Sequence, residues 1–182
     1  MHIYRIQGSV ALGMLLGLII SVVAMYCGAQ LFTHLEIAEV FGISLLLPAV
    51  ALFIAIARLA AHRFFTPADI GGSAFSAGTD QAKLLQALLQ NTLEQLAFTV
   101  PVYLAALSSA YFLNNDYLNN SYHSLLASVP ACACTFLLGR VLFFLTYPYG
   151  ASARALGFAL TFYPTVLLLA WQLWLLADSI IR

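Results

Sequence analysis

Charge-free apolar intervals set the layout of the chain, at 9–32, 40–57, 95–115, 124–139 and 155–177. Each approaches the roughly 20 residues that a hydrocarbon core requires, the fourth once Arg140 is admitted into its helix. Five transmembrane helices are therefore predicted. The first could be a cleaved signal peptide, but its apolar run exceeds the usual length of about 7–15 residues. "MYCGAQLF" is also a poor cleavage site, so a retained helix is expected.

Polar positions place the breaks and one unusual helix face. The longest loop, "HRFFTPADIGGSAFSAGTDQAK", holds Pro67, Gly71 and Gly72 among Ser and Thr residues, which is loop composition. Asp80 is the expected cap of the next helix, running from near Gln81 to about Phe112 with a kink at Pro101. At about 1.5 Å per residue such a helix is longer than the membrane is thick, and its first turns project from the bilayer. Gln86, Gln90 and Glu94 recur every four residues, with Asn91 three before Glu94, so one side of this helix is polar.

Composition sharpens the solvent assignment: 63% of residues are hydrophobic and 8% charged, against roughly a quarter charged in soluble chains. An all-α integral membrane protein is expected. Seven basic and seven acidic side chains balance, which removes the basic surface that nucleic acid would need. Cys27, Cys132 and Cys134 lie in apolar runs and read as packing residues; the last two point to different helix faces, against a redox or metal pair. No metal is expected.

Basic residues also predict orientation. Arg5, Arg58, Arg63, Lys83 and Arg154 fall on one side of the predicted spans, and Glu36, Glu39 and Asp116 on the other. The N-terminus is thus expected in the cytoplasm and the C-terminus outside. Asn119 with Ser121 forms a sequon, weak evidence on its own.

Arg140 interrupts "ACACTFLLGRVLFFLTY". If the third and fourth helices form a hairpin about Tyr117, Glu94 and Arg140 lie at equal separations of twenty-three residues from the turn, and so at equal depth. A charge at a helix centre costs roughly 2.5–3.5 kcal/mol on insertion scales and usually finds a partner. A buried Glu94–Arg140 salt bridge is predicted. Tyr147 lies two helical turns beyond Arg140, and Arg154 follows the break expected at Pro148 and Gly150. With Asn91 they would complete a polar pocket facing the cytoplasm, suited to a small anionic or zwitterionic ligand. A structural clamp that fixes helix register is the other reading of the pair. Ala127, Ala131, Thr135 and Gly139 form a small-residue stripe, and Gly13 with Gly17 a GxxxG, both of which allow close helix approach. Tyr4, Tyr111, Tyr122 and Trp174 read as interfacial anchors.

"QNTLEQ", followed after a hairpin by "GRVLFFLTYPYGASARALGF", resembles the MAPEG family, membrane-associated proteins in eicosanoid and glutathione metabolism. The likeness spans about residues 41–181 and rests on the ordered set Asn91, Glu94, Arg140, Tyr147 and Arg154. It implies a four-helix membrane domain over 39–182, with 1–38 as an additional N-terminal helix and external loop. It further implies a homotrimer of bacterial type, in the inner membrane and in contact with lipid, with glutathione as cosubstrate and a lipophilic small molecule as second substrate. By the resemblance, Asn91, Glu94, Arg140 and Tyr147 bind glutathione and Arg154 stabilises its thiolate. Ala87 stands where the well-known enzymes have an arginine, with Lys83, Gln90 and Arg58 as candidate accessory groups; Gln95 and Phe143 also depart from some members. Two functions follow: a glutathione-dependent transferase or peroxidase, and a noncatalytic lipid-binding protein. A small-solute transporter fits less well, because the chain shows no inverted repeat.

Overall fold

The computed structural model describes residues 2–72, 78–112 and 119–181, with side chains over 4–72, 78–109 and 121–181. The expected turn at Asp116 and Tyr117 and the side chains of Tyr111 and Asn119 lie outside these. Five long helices carry the described chain: α1 (His2–Leu31), α2 (Ile37–Phe65), α3 (Asp80–Phe112), α4 (Asn119–Thr146) and α5 (Ala151–Ile181). No strand occurs among the described residues. Here α1, α2, α4 and α5 are long and apolar enough to cross a membrane, and Leu12, Leu15, Phe53, Leu138, Leu145 and Trp174 form part of an exposed apolar surface.

The helices outrun the charge-free intervals because charged residues at their ends are accommodated by local bonds. At the start of α2, Glu39 accepts a hydrogen bond from the Glu36 backbone N–H at 2.9 Å, satisfying a donor that a helix start leaves free. At its end α2 continues past Arg58 to Phe65. The following loop is closed by a cluster about Asp69, which is buried. The backbone N–H and hydroxyl of Thr79 donate to Asp69 at 2.8 and 2.6 Å, and His62 Nε2 lies 2.9 Å from the same carboxylate. These bonds, those from Thr79 first, hold the Asp69 carboxyl below the usual carboxylate range. Thr79 also accepts from the Ala82 N–H at 3.2 Å. The cap of α3 is therefore Thr79, one residue before the expected Asp80, which is itself exposed.

Small residues decide how the bundle closes. A Cβ on Gly157 of α5 would lie 2.6 Å from the Phe143 backbone nitrogen of α4, and one on Gly139 would lie 2.9 Å from the Gly157 carbonyl. Only glycine permits this backbone contact. The first helix packs as closely: a Cβ on Gly28 would meet that of Ala131 at 2.5 Å, while Gly13 and Gly17 sit against Ala155 and Ala159. Thus α1 lies in the groove between α4 and α5, and the GxxxG and part of the small-residue stripe are its contact surfaces. Around Phe143 the core is built from Leu59, Leu85, Leu88 and Phe144; farther along, Met25, Tyr103, Val129, Cys132 and Leu168 join. Cys132 is buried while Cys27 and Cys134 are exposed, and all are free thiols.

Candidate functional site

The break after α4 creates the site. Thr146 ends the helix, Tyr147–Tyr149 form a single 3-10 turn around Pro148, and Gly150 adopts φ +95° and ψ −176°, a region open in practice only to glycine. The chain re-enters a helix at Ala151, placing Arg154 in the first turn of α5 with its N–H donating to the Gly150 carbonyl at 3.3 Å.

From this turn runs a stack of two aromatic rings between two cations. The Arg154 guanidinium lies 4.4 Å from the Tyr147 ring centre. Tyr147 meets Phe143 edge to face at 5.2 Å, and Phe143 in turn carries Arg140 at 4.4 Å. Both cation–ring separations fall within the roughly 6 Å range of cation–π attraction. Arg140 is fully buried. Its Nη1 donates to Asn91 Oδ1 and its Nη2 to Thr161 Oγ1, each at 2.8 Å, and Thr161 donates onward to the Phe158 carbonyl at 2.7 Å. The Arg140 Nε has no partner. Helices α3, α4 and α5 are thereby joined through one guanidinium.

Beside the stack opens a cleft of about 410 Å³. Asn91, Tyr147 and Arg154 give its polar side; Phe143, Phe158, Ala151 and Ala155 give an apolar floor, and Val10 and Met14 of α1 also line it. Arg154 is only partly buried, and no carboxylate pairs with it among the described residues. Its position in a first turn puts a cation at the positive end of the helix macrodipole, which is unfavourable by itself. An anion bound in the cleft would interact favourably with both the guanidinium and the helix start.

Of the residues selected from sequence, Asn91, Tyr147 and Arg154 line this cleft, while Arg140 stands behind it and holds Asn91. Glu94 does not join them, and the expected Glu94–Arg140 salt bridge is not formed within the chain. Glu94 is exposed and accepts a hydrogen bond from Gln90 at 3.1 Å. The reason is rotational: at about 100° per residue, Glu94 lies about 160° from the buried Thr92 and about 60° from Asn91, so the turn that brings Asn91 to Arg140 leaves Glu94 on the outward edge of the helix. Equal depth was not equal direction. The accessory candidates also stay apart from the cleft. Lys83 lies 3.6 Å from Asp80, Gln90 bonds Glu94, and Arg58 sits 5.8 Å from the Phe144 ring centre. Ala87 is half-buried, and Gln95 and Phe143 are buried.

Sequence reasoning missed Thr161, Phe158, Val10 and Met14. Thr161 lies two turns after Arg154 on α5, so helical spacing held a signal for it. Val10 and Met14 flank Gly13 on the close-packed face of α1, but only the packing shows that they meet the cleft.

The family model described as "MAPEG family" matches residues 40–174. No curated protein and no solved structure matches the chain significantly.

Proposed function

This chain belongs to the MAPEG family and is an integral, multi-pass membrane protein; from that premise we propose that it is a membrane-embedded, glutathione-dependent transferase or peroxidase acting on lipophilic electrophiles. The observation that carries this reading is Arg154, a guanidinium that lines the cleft without a counter-charge at the start of a helix. A free thiol titrates near 8.5, and its thiolate is the nucleophile. A nearby guanidinium lowers that value and increases the thiolate fraction at neutral pH.

In the transferase reaction the glutathione proton passes to solvent while Arg154 holds the sulfur anion. The sulfur pair then forms the S–C bond as the electrophile's leaving group departs with its own bonding pair. For an α,β-unsaturated aldehyde, the π pair moves instead onto the carbonyl oxygen, and water returns a proton to the α carbon. Asn91 and Tyr147 lie where they can orient the polar cosubstrate, and Arg140 acts through Asn91 as a positioning residue. Lipophilic substrate would enter from the bilayer.

A homotrimer is part of the proposal. Its support is the outward face of α3, where Gln86, Gln90 and Glu94 are exposed; polar groups inside a membrane usually face protein or water, and another copy would cover them. Arg58, Arg63, Lys83 and Arg154 lie near helix ends, the bias expected of cytoplasmic segments, which supports a cytoplasmic opening and a cytoplasmic N-terminus; a bacterial inner membrane is part of the proposal.

A noncatalytic lipid-binding protein is the second reading, favoured by one observation: Arg140, Asn91 and Thr161 satisfy one another as a structural joint would. Titration of the purified protein in lipid nanodiscs with glutathione separates the two. Binding with the ultraviolet absorbance of a thiolate is expected, and no binding at millimolar glutathione by folded protein would refute the proposed activity.

A further inference from the structure

The α1 helix lies outside the residues matched by the family, 40–174, yet it forms one side of the cleft. Its inward face is Val10, Gly13, Met14, Gly17 and Ser21. Because Gly13 and Gly17 let the backbone of α1 rest on Ala155 and Ala159, the larger side chains on either side of Gly13 are carried over the cleft floor. Ser21 contributes no polar group there, since its hydroxyl donates to the Gly17 carbonyl of its own helix at 2.6 Å. The part of the cleft lining that α1 contributes is therefore apolar. The back of α1 bears exposed Leu12 and Leu15, a surface suited to lipid.

We infer that Val10 and Met14 of α1 determine which apolar substrate the cleft accepts, holding the alkyl chain of a lipophilic electrophile while its reactive end faces Arg154. This rests on the proposed transferase reading for the chemistry at Arg154, but the wall itself rests only on packing. Two halves of different character define the ligand: Asn91, Tyr147 and Arg154 accept a polar, electron-rich end, and Val10, Met14, Ala155 and Phe158 accept an apolar extension. Methionine, unbranched and flexible, conforms to a chain of variable shape. Substrate range is thus set by a helix separate from the residues that face the thiol.

The test uses the full chain in nanodiscs and three linear 2-alkenals of six, nine and twelve carbons. Met14→Trp, which narrows the apolar end of the cleft, raises KM for the twelve-carbon aldehyde at least about tenfold and leaves glutathione affinity and the six-carbon KM within about twofold. Met14→Ala shifts preference toward the longest chain. Leu12→Trp, on the opposite side of the helix, changes none of these. Equal KM effects at all chain lengths, or equal effects of Met14→Trp and Leu12→Trp, overturn the inference. A dodecanal carrying a diazirine tests the wall without turnover: crosslinks are expected on α1 around Met14 and are reduced by Met14→Trp. If glutathione fails to bind while this labelling persists, the transferase reading falls and the wall stands. Labelling confined to other helices removes the wall, whatever glutathione does.

Discussion

Arg140 and Arg154 are one residue type in two settings. Each lies 4.4 Å from an aromatic ring. Yet Arg140 is fully buried, with two of its nitrogens committed to Asn91 and Thr161, whereas Arg154 is partly exposed at a cleft with no carboxylate against it among the described residues. A guanidinium whose donors are used inside the bundle holds helices together; one whose donors face a cavity is available to a ligand. Proximity to an aromatic ring does not distinguish these roles. Hydrogen-bond satisfaction and exposure do.

The largest effect expected from breaking this contrast is on stability. Arg140→Met leaves Asn91 and Thr161 without their charged donor and should cost about 3 kcal/mol, seen as a lower unfolding midpoint in detergent. An unchanged midpoint would mean that the joint is dispensable. Next comes Arg154→Ala, which should raise the bound thiol's pKa by one or two units, worth about 1.4–2.7 kcal/mol. The thiolate absorbance would be lost at neutral pH while the melting temperature stays near that of the parent. If both variants melted equally early, the two arginines would share one role.

The carboxylates repeat the contrast on a smaller scale. Asp69 is buried and bonded to Thr79 and His62, and its pKa is lowered. Its stabilising contribution should be present above the ordinary carboxylate value of about 4 and lost as pH falls through the lower folded value. Asp69→Asn should therefore melt a few degrees below the parent at pH 7, with the gap closing in stronger acid; a gap independent of pH would separate the clamp from the carboxylate charge. Glu94→Gln should have the smallest effect. In detergent-dispersed monomer it should change unfolding free energy by less than about 0.5 kcal/mol, and a larger loss would restore an internal partner for Glu94.

These same residues show what could be read from the chain alone. Five helices formed about the five apolar intervals, although α3, with its polar face, is not among the four that are apolar enough to cross a membrane, and the break before Arg154 followed from Pro148 and Gly150. Asn91, Tyr147 and Arg154 were accessible as members of an ordered pattern and do line one cleft. Glu94 was misplaced because sequence separation gives depth along a helix, while direction depends on which face packing buries. Thr161 went unnoticed because a lone hydroxyl in an apolar helix usually bonds to its own backbone, as it also does here. The contribution of α1 needed the packing of Gly13 and Gly17 on Ala155 and Ala159, and a GxxxG in sequence does not name its partner.

That packing also orders events during synthesis. Gly13 meets Ala155 and Gly17 meets Ala159, so α1 leaves the ribosome well before α5 and waits for it before these glycines are covered. At about 5–20 residues per second, the interval is on the order of ten seconds or more. Throughout it, α1 must persist in the bilayer without α5, which its apolar length permits. The cleft comes into being only when α5 arrives, and a chain interrupted before that point would carry α1 to α4 and none of the assembled site.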